Sequence, residues 1–135
     1  MKYDNRLPLV LFLLRLGVFI VMFMWTLDKF VRPLHAAKVY ENFYFIGGLG
    51  TNVAYGIGLL ELLLLFGFLA GVRKRLTYGA VFLLHAISTL SSFKQYLSPF
   101  EGANLLFYAA WPMLAACFAL YRLRDLDTLW VFGKK

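Results

Sequence analysis

Arg15, Glu61 and His85 supply a guanidinium, a carboxylate and an imidazole, each near the middle of a different long apolar run. An ionisable group at membrane depth is costly unless it turns into a bundle and finds a partner, so such residues mark a binding, relay or assembly site. Arginine and carboxylate together satisfy several donors and acceptors. Tyr78, His85, Ser88, Thr89 and Ser92 recur at spacings that place them on one helix face. A seam of this kind can hydrogen-bond an ion pair, hold water, accept the polar head of a ligand or pass a proton. It can equally fix helix register and partner choice with no chemistry at all.

The elements that must position these groups are membrane-spanning helices. The chain of 135 residues is 61% hydrophobic and only 16% charged, which excludes an ordinary soluble domain. About 20 apolar residues cross a hydrocarbon core of about 30 Å. Runs at 7–27, 53–71 and 76–93 meet that length and 104–121 nearly does, leaving no room for a separate soluble domain. The expected fold is an all-α membrane protein, an antiparallel four-transmembrane-helix bundle in a single domain. The first run is too long for a signal segment, contains Arg15, and is followed by no small-x-small cleavage site, so it reads as a retained helix.

Basic residues set the expected orientation. Lys2, Arg6, Arg73, Lys74, Arg75, Arg122, Arg124, Lys134 and Lys135 share one side of a four-span topology. The positive-inside rule then puts both termini in the cytoplasm. The net charge of +7 matches a solvated face on anionic lipid headgroups and needs no nucleic acid.

Depth is the useful calculation. At about 1.5 Å per residue, Arg15, Glu61 and His85 lie roughly 12, 15 and 13 to 14 Å from the cytoplasmic ends of their helices. Trp111 and Pro112 fall at the same level. The spacing therefore predicts a mid-membrane contact network of Arg15, Glu61 and His85, bordered by Tyr78, Ser88, Thr89, Ser92 and Trp111. Pro112 is expected to kink the fourth span and leave the Tyr108 carbonyl without its usual partner.

The flanking segments carry weaker signals. Residues 35–45 have the spacing of a short amphipathic helix in the first extracytoplasmic loop, with Tyr40, Phe43 and Tyr44 at the interface or against a partner. Asp28 and Lys29 at the outer end of the first span pair locally or cap the bundle, and solvated interfacial charges are the plainer reading. The region 94–103 reads as a simple turn, and the tail beyond Arg122 as an interfacial segment anchored by Trp130. Gly67 and Gly71 make a small-xxx-small pair for close helix contact. A single cysteine, Cys117, excludes an internal disulfide or CxxC pair and reads as an inert buried thiol. His35 and His85 lie at different levels and join no metal-ligand cluster, so no metal and no resident cofactor is expected.

Arg15-Leu16-Gly17-Val18-Phe19, the later Asp28-Lys29-Phe30 and Pro33, and Gly58-Leu59-Leu60-Glu61-Leu62-Leu63 followed by Phe66-Gly67 resemble the DoxX-like superfamily of small four-helix membrane proteins. His85 in the third span is similar to the family pattern as well. The resemblance covers most of spans one to three. It implies a four-helix bundle and a role beside membrane oxidoreductases or in receptor assembly, while the family's thiol-handling members carry cysteines that this chain lacks. The expected function is a non-catalytic accessory subunit of a redox or respiratory system in the bacterial inner membrane. Its polar site would hold a quinone headgroup or a lipid. Two alternatives stand beside it: a membrane chaperone or assembly partner, and a small proton-coupled transporter working as a homo-oligomer. Membrane lipid and either a membrane-protein partner or a second copy are the expected partners.

Overall fold

A computed structural model describes residues 6–32, 35, 38, 41 and 51–132. Helix α1 runs Arg6–Val31 without a break. Pro8 lies in its first turn, where a missing backbone donor costs nothing. Helix α2, Thr51–Leu69, ends because Gly71 takes φ +70. The Val72 amide then bonds the Gly67 carbonyl at 2.9 Å and the Gly71 amide bonds the Phe68 carbonyl at 3.1 Å. That paired arrangement is the glycine-terminated helix stop, so Gly71 serves the turn and not a helix–helix seam. Gly67 does pack closely, with a Cβ at that position 3.2 Å from the Thr77 methyl.

Helix α3, Lys74–Ser91, follows at once. The expected simple turn after it contains the short helix α4, Phe93–Leu97, and a 3-10 segment, Asn104–Ala109, that leads into α5, Ala110–Arg122. Pro112 therefore sits in the first turn of α5, where helical amides lack partners anyway. The expected mid-span kink is replaced by a change from 3-10 to α geometry just before the proline. A final 3-10 turn covers Arg124–Leu126.

The four long helices close into a ring in the order α1, α2, α3, α5, with α5 back against α1. Neighbours are antiparallel. Phe66 of α2 meets both Phe19 and Phe23 of α1, while Glu61, earlier in α2, meets Lys29, later in α1. Phe82 of α3 packs against Phe118 and Tyr121 of α5. Leu11, Val18, Leu65, Phe68, Val81 and Leu120 converge in the centre. At the far end of α1, Gly58 lets the Phe30 ring come within 2.7 Å of where a Cβ would stand.

Burial departs from that of a water-soluble bundle in two respects beside this apolar centre. Arg15, Thr26, Lys74, Thr77, His85, Thr89, Ser92 and Asp127 are buried, while Leu13, Leu60, Leu63, Leu76, Leu83 and Leu106 point outward. Polar groups inside and large apolar side chains outside are the pattern expected when hydrocarbon is the solvent. Two helical stretches, Arg6–Val31 and Asn104–Arg122, are long and apolar enough to cross a membrane, and Val53–Leu69 is apolar but shorter. Helix α3 falls outside that class, with Lys74 and Arg75 at its start and Thr77, Tyr78, His85 and Thr89 along its inner face. Among the described residues there is no strand. Of the expected interfacial helix, His35, Lys38 and Glu41 are helical and exposed. Tyr40, Phe43 and Tyr44 lie outside the described residues.

Candidate functional site

The expected single network resolves into two polar centres, because α1 is longer than the helix beside it. Phe66 near the end of α2 packs against Phe19 and Phe23, so α2 stops about level with Arg15. Glu61 meets Thr26 and Lys29 instead. Thr26 lies about three turns beyond Arg15, roughly 16 Å along α1. Arg15 and Glu61 are thus not partners, although equal counting from the helix ends placed them together.

Arg15 belongs to a buried clasp that holds the tail. Its Nη1 lies 3.0 Å from Asp127 Oδ1, both side chains being 0% exposed. Nη1 also donates to the Tyr78 hydroxyl at 3.2 Å, and Nη2 donates to the carbonyls of Leu129 at 2.6 Å and Trp130 at 3.2 Å. The Tyr78 hydroxyl in turn donates to Asp127 Oδ2. Lys74 donates to the carbonyls of Arg124 and Asp127, closing the same segment from the α3 side. Lys74 precedes the apolar run, and burial holds its ammonium below the usual lysine pKa, with Asp127 pulling the other way. The Phe132 amide bonds the Ala70 carbonyl at 2.8 Å. The Val131 side chain fills the space left by Gly71, where a Cβ would come within 2.5 Å. The tail is therefore docked on the bundle through its backbone, although the Trp130 side chain itself is 66% exposed.

The second centre lines a cavity of about 1420 Å³ between α1, α3 and α5. Val18, Met22, Trp25, Leu84, Met113 and Ala116 give it apolar walls. Its polar lining combines Glu61 with His85, Ser88, Thr89 and Ser92 from the α3 stripe. Glu61 Oε2 accepts from the Thr26 hydroxyl at 2.9 Å and from Lys29 at 3.1 Å. His85 is 1% exposed; its Nε2 lies 3.0 Å from the Ala110 carbonyl, and its Nδ1 has no partner. The Trp25 ring stacks beside the imidazole at 6.2 Å between centroids and is itself half exposed. At the mouth, Asp28 takes Arg32 at 2.7 Å and His35 at 2.5 Å. Asp28 thus pairs locally with Arg32 and His35, while Lys29 reaches Glu61.

Five of the expected residues, Glu61, His85, Ser88, Thr89 and Ser92, therefore share one wall system, and Asp28 and Lys29 border it. Arg15 and Tyr78 belong to the clasp. Trp111 packs against Tyr96 in a tilted pair, 5.5 Å between centroids, and is absent from the cavity lining. Sequence reasoning missed Asp127, which sits among Arg122, Arg124 and Asp125 and reads there as one more solvated charge. Trp25 was missed too, since an aromatic at a span end reads as a plain interfacial residue. Among the described residues no group of three acidic, histidine or cysteine side chains is placed to hold a metal ion. Cys117 is buried and free.

No protein-family model, curated protein or solved structure matches the chain.

Proposed function

We propose that the protein is a four-span membrane bundle that holds a lipid-soluble small molecule by its polar head, as a non-catalytic accessory subunit of a redox or respiratory system in the bacterial inner membrane. The cavity carries this reading. It combines a large, partly open apolar groove with a few polar groups, Glu61 and His85 among them, as ligand sites do. The outward leucines on α2 and α3 support spans for these helices as well as for α1 and α5. The basic clusters at the ends of α1, α3 and α5 favour cytoplasmic termini. The redox association rests on the likeness of the span-one and span-two patterns to DoxX-like proteins.

Extraction in native lipid followed by mass spectrometry tests the reading. Wild-type protein is expected to retain a lipophilic molecule that Glu61→Gln and His85→Phe release, and membranes carrying either variant should lose respiratory or redox flux. Wild-type protein that carries nothing above bulk lipid, with full flux in both variants, would falsify the proposal.

A further inference from the structure

The groove between α1, α3 and α5 is graded along its length. Trp25 of α1 lies beside His85 of α3, and Glu61 of α2 lies at Thr26 and Lys29. These contacts put every ionisable or hydroxyl-bearing side chain of the lining, from Glu61 and His85 to Ser92 and Arg32, at the level of Trp25 or beyond it toward the end of α1. Before that level the lining is apolar. Leu14, Gly17, Val18 and Val21 supply it from α1. Ala110 of α5 meets His85, so Met113 and Ala116, one and two turns further along α5, fall on the apolar side. A polar half and a tail-shaped half together fit an amphiphile.

Length and access narrow the class. Gly17 lies roughly 18 Å along α1 from Lys29. A saturated chain advances about 1.25 Å per carbon, so about 14 carbons cover that distance. One leaflet of hydrocarbon is about 15 Å deep, the same scale. The groove also opens sideways: Leu13, Val21, Met24 and Trp25 on one lip and Leu106 and Pro112 on the other line it and are exposed. A tail can therefore enter from the surrounding hydrocarbon without leaving it. At Gly17 the groove is unfilled, since a Cβ there meets nothing within 4 Å. A second helix about 10 Å across, laid from Leu13 to Arg32, would need roughly 2300 Å³, against about 1420 Å³ present. Such a helix can cover the seam but not fill it. We infer that the groove takes a linear amphiphile whose acyl tail, about 14 to 16 carbons long, enters sideways between α1 and α5 and lies over Gly17, with its head between Trp25 and Lys29. The inference rests on the proposed ligand-binding role of this cavity and adds the tail, its route and the residue that sets its length.

The experiment uses the full chain in lipid nanodiscs and two photoreactive 1-monoglycerides, hexadecanoyl and octanoyl, each with a diazirine on the carbon next to its terminal methyl. A neutral head suits a mouth where Lys29 and Arg32 already face carboxylates. Mass spectrometry reads the labelled residues. The long probe is expected to label Leu14 or Ala116, beside Gly17, and the short probe Met22, Trp25 or Leu84. Gly17→Phe should cut the deep label about tenfold, the scale of overfilling an apolar site with a bulky ring, and leave the short probe's label in place. Gly56 also has open space for a Cβ but lies outside the groove, so Gly56→Phe should change neither label. A long-probe label spread evenly over outward residues such as Leu60 and Leu63, or one unchanged in Gly17→Phe, overturns the tail path; groove labelling by the short probe then keeps the cavity as a ligand site. Rapid disulfide dimers of a Gly17→Cys variant, in place of tail labelling, seat a second copy on the seam and also overturn it. Groove labelling by neither probe overturns the inference and the ligand-binding reading together.

Discussion

Replacing Asp127 with asparagine tests the clasp most directly. The substitution keeps the shape and removes the charge that lies 3.0 Å from Arg15, with both groups fully buried. At an effective dielectric constant of about 20, two charges at that distance attract by roughly 5 to 6 kcal/mol. Removing one partner of a buried pair commonly costs about 3 to 5 kcal/mol, because the survivor stays desolvated and uncompensated. The Leu129 and Trp130 carbonyls and the Tyr78 hydroxyl remain for Arg15, which places the loss at the lower end of that range. The loss also has a ceiling, since the tail can undock and let water reach Arg15 at the end of the bundle. Local opening of residues 127–132 is therefore the expected response. At about 1.4 kcal/mol per tenfold, 3 kcal/mol weakens docking by more than about a hundredfold. Chymotrypsin reads this at Leu129, Trp130 and Phe132 in nanodiscs, scaled to a free tail peptide. Arg15→Met combined with Asp127→Leu should recover most of the protection, because an apolar pair replaces a charged one at little cost. Tail cleavage in Asp127→Asn within threefold of wild type would refute the buried ion pair.

Gly71→Ala strains the positive φ and drives a methyl into Val131, so a loss of about 1 to 3 kcal/mol is expected, with faster chymotryptic cleavage of the same tail. Glu61→Gln retains an acceptor for the Thr26 hydroxyl but takes the counter-charge from Lys29. A Tm drop corresponding to about 1 to 3 kcal/mol checks the value of that charged hydrogen bond. Gly58→Leu forces the Phe30 ring away from α2 and should lower Tm by the equivalent of about 1 to 3 kcal/mol, as overpacking does elsewhere. Cys117 is buried and should react with a maleimide only after denaturation; labelling of the folded protein at the rate of a free thiol would contradict the packing of α5.

The helices were legible because their signal is long and redundant. Runs of apolar residues mark α1, α2 and α5, and the stripe of Tyr78, His85, Ser88, Thr89 and Ser92 marks one face of α3. Four of those five residues reach the cavity. Helix register was not legible. Counting depth from each helix end assumes that all ends lie in one plane, whereas α1 begins well before the level at which α2 stops. That offset, set by Phe66 between Phe19 and Phe23, carries Arg15 away from Glu61. The partner of Arg15 was hidden for a different reason. Asp127 acquires its role only when the backbone after α5 turns back over Gly71, and no local pattern in the tail encodes that return. The glycine itself was read as a packing residue, because a helix stop and a small-residue seam share the same letters.

The clasp makes the order of synthesis matter. Arg15 emerges with the first helix, yet its carboxylate and the carbonyl oxygen of Leu129, 114 positions further along, appear only after all four long helices have been made. Until then the guanidinium lacks its buried counter-charge, so the first helix cannot take its final polar partners before the segment after α5 is made and folds back onto it.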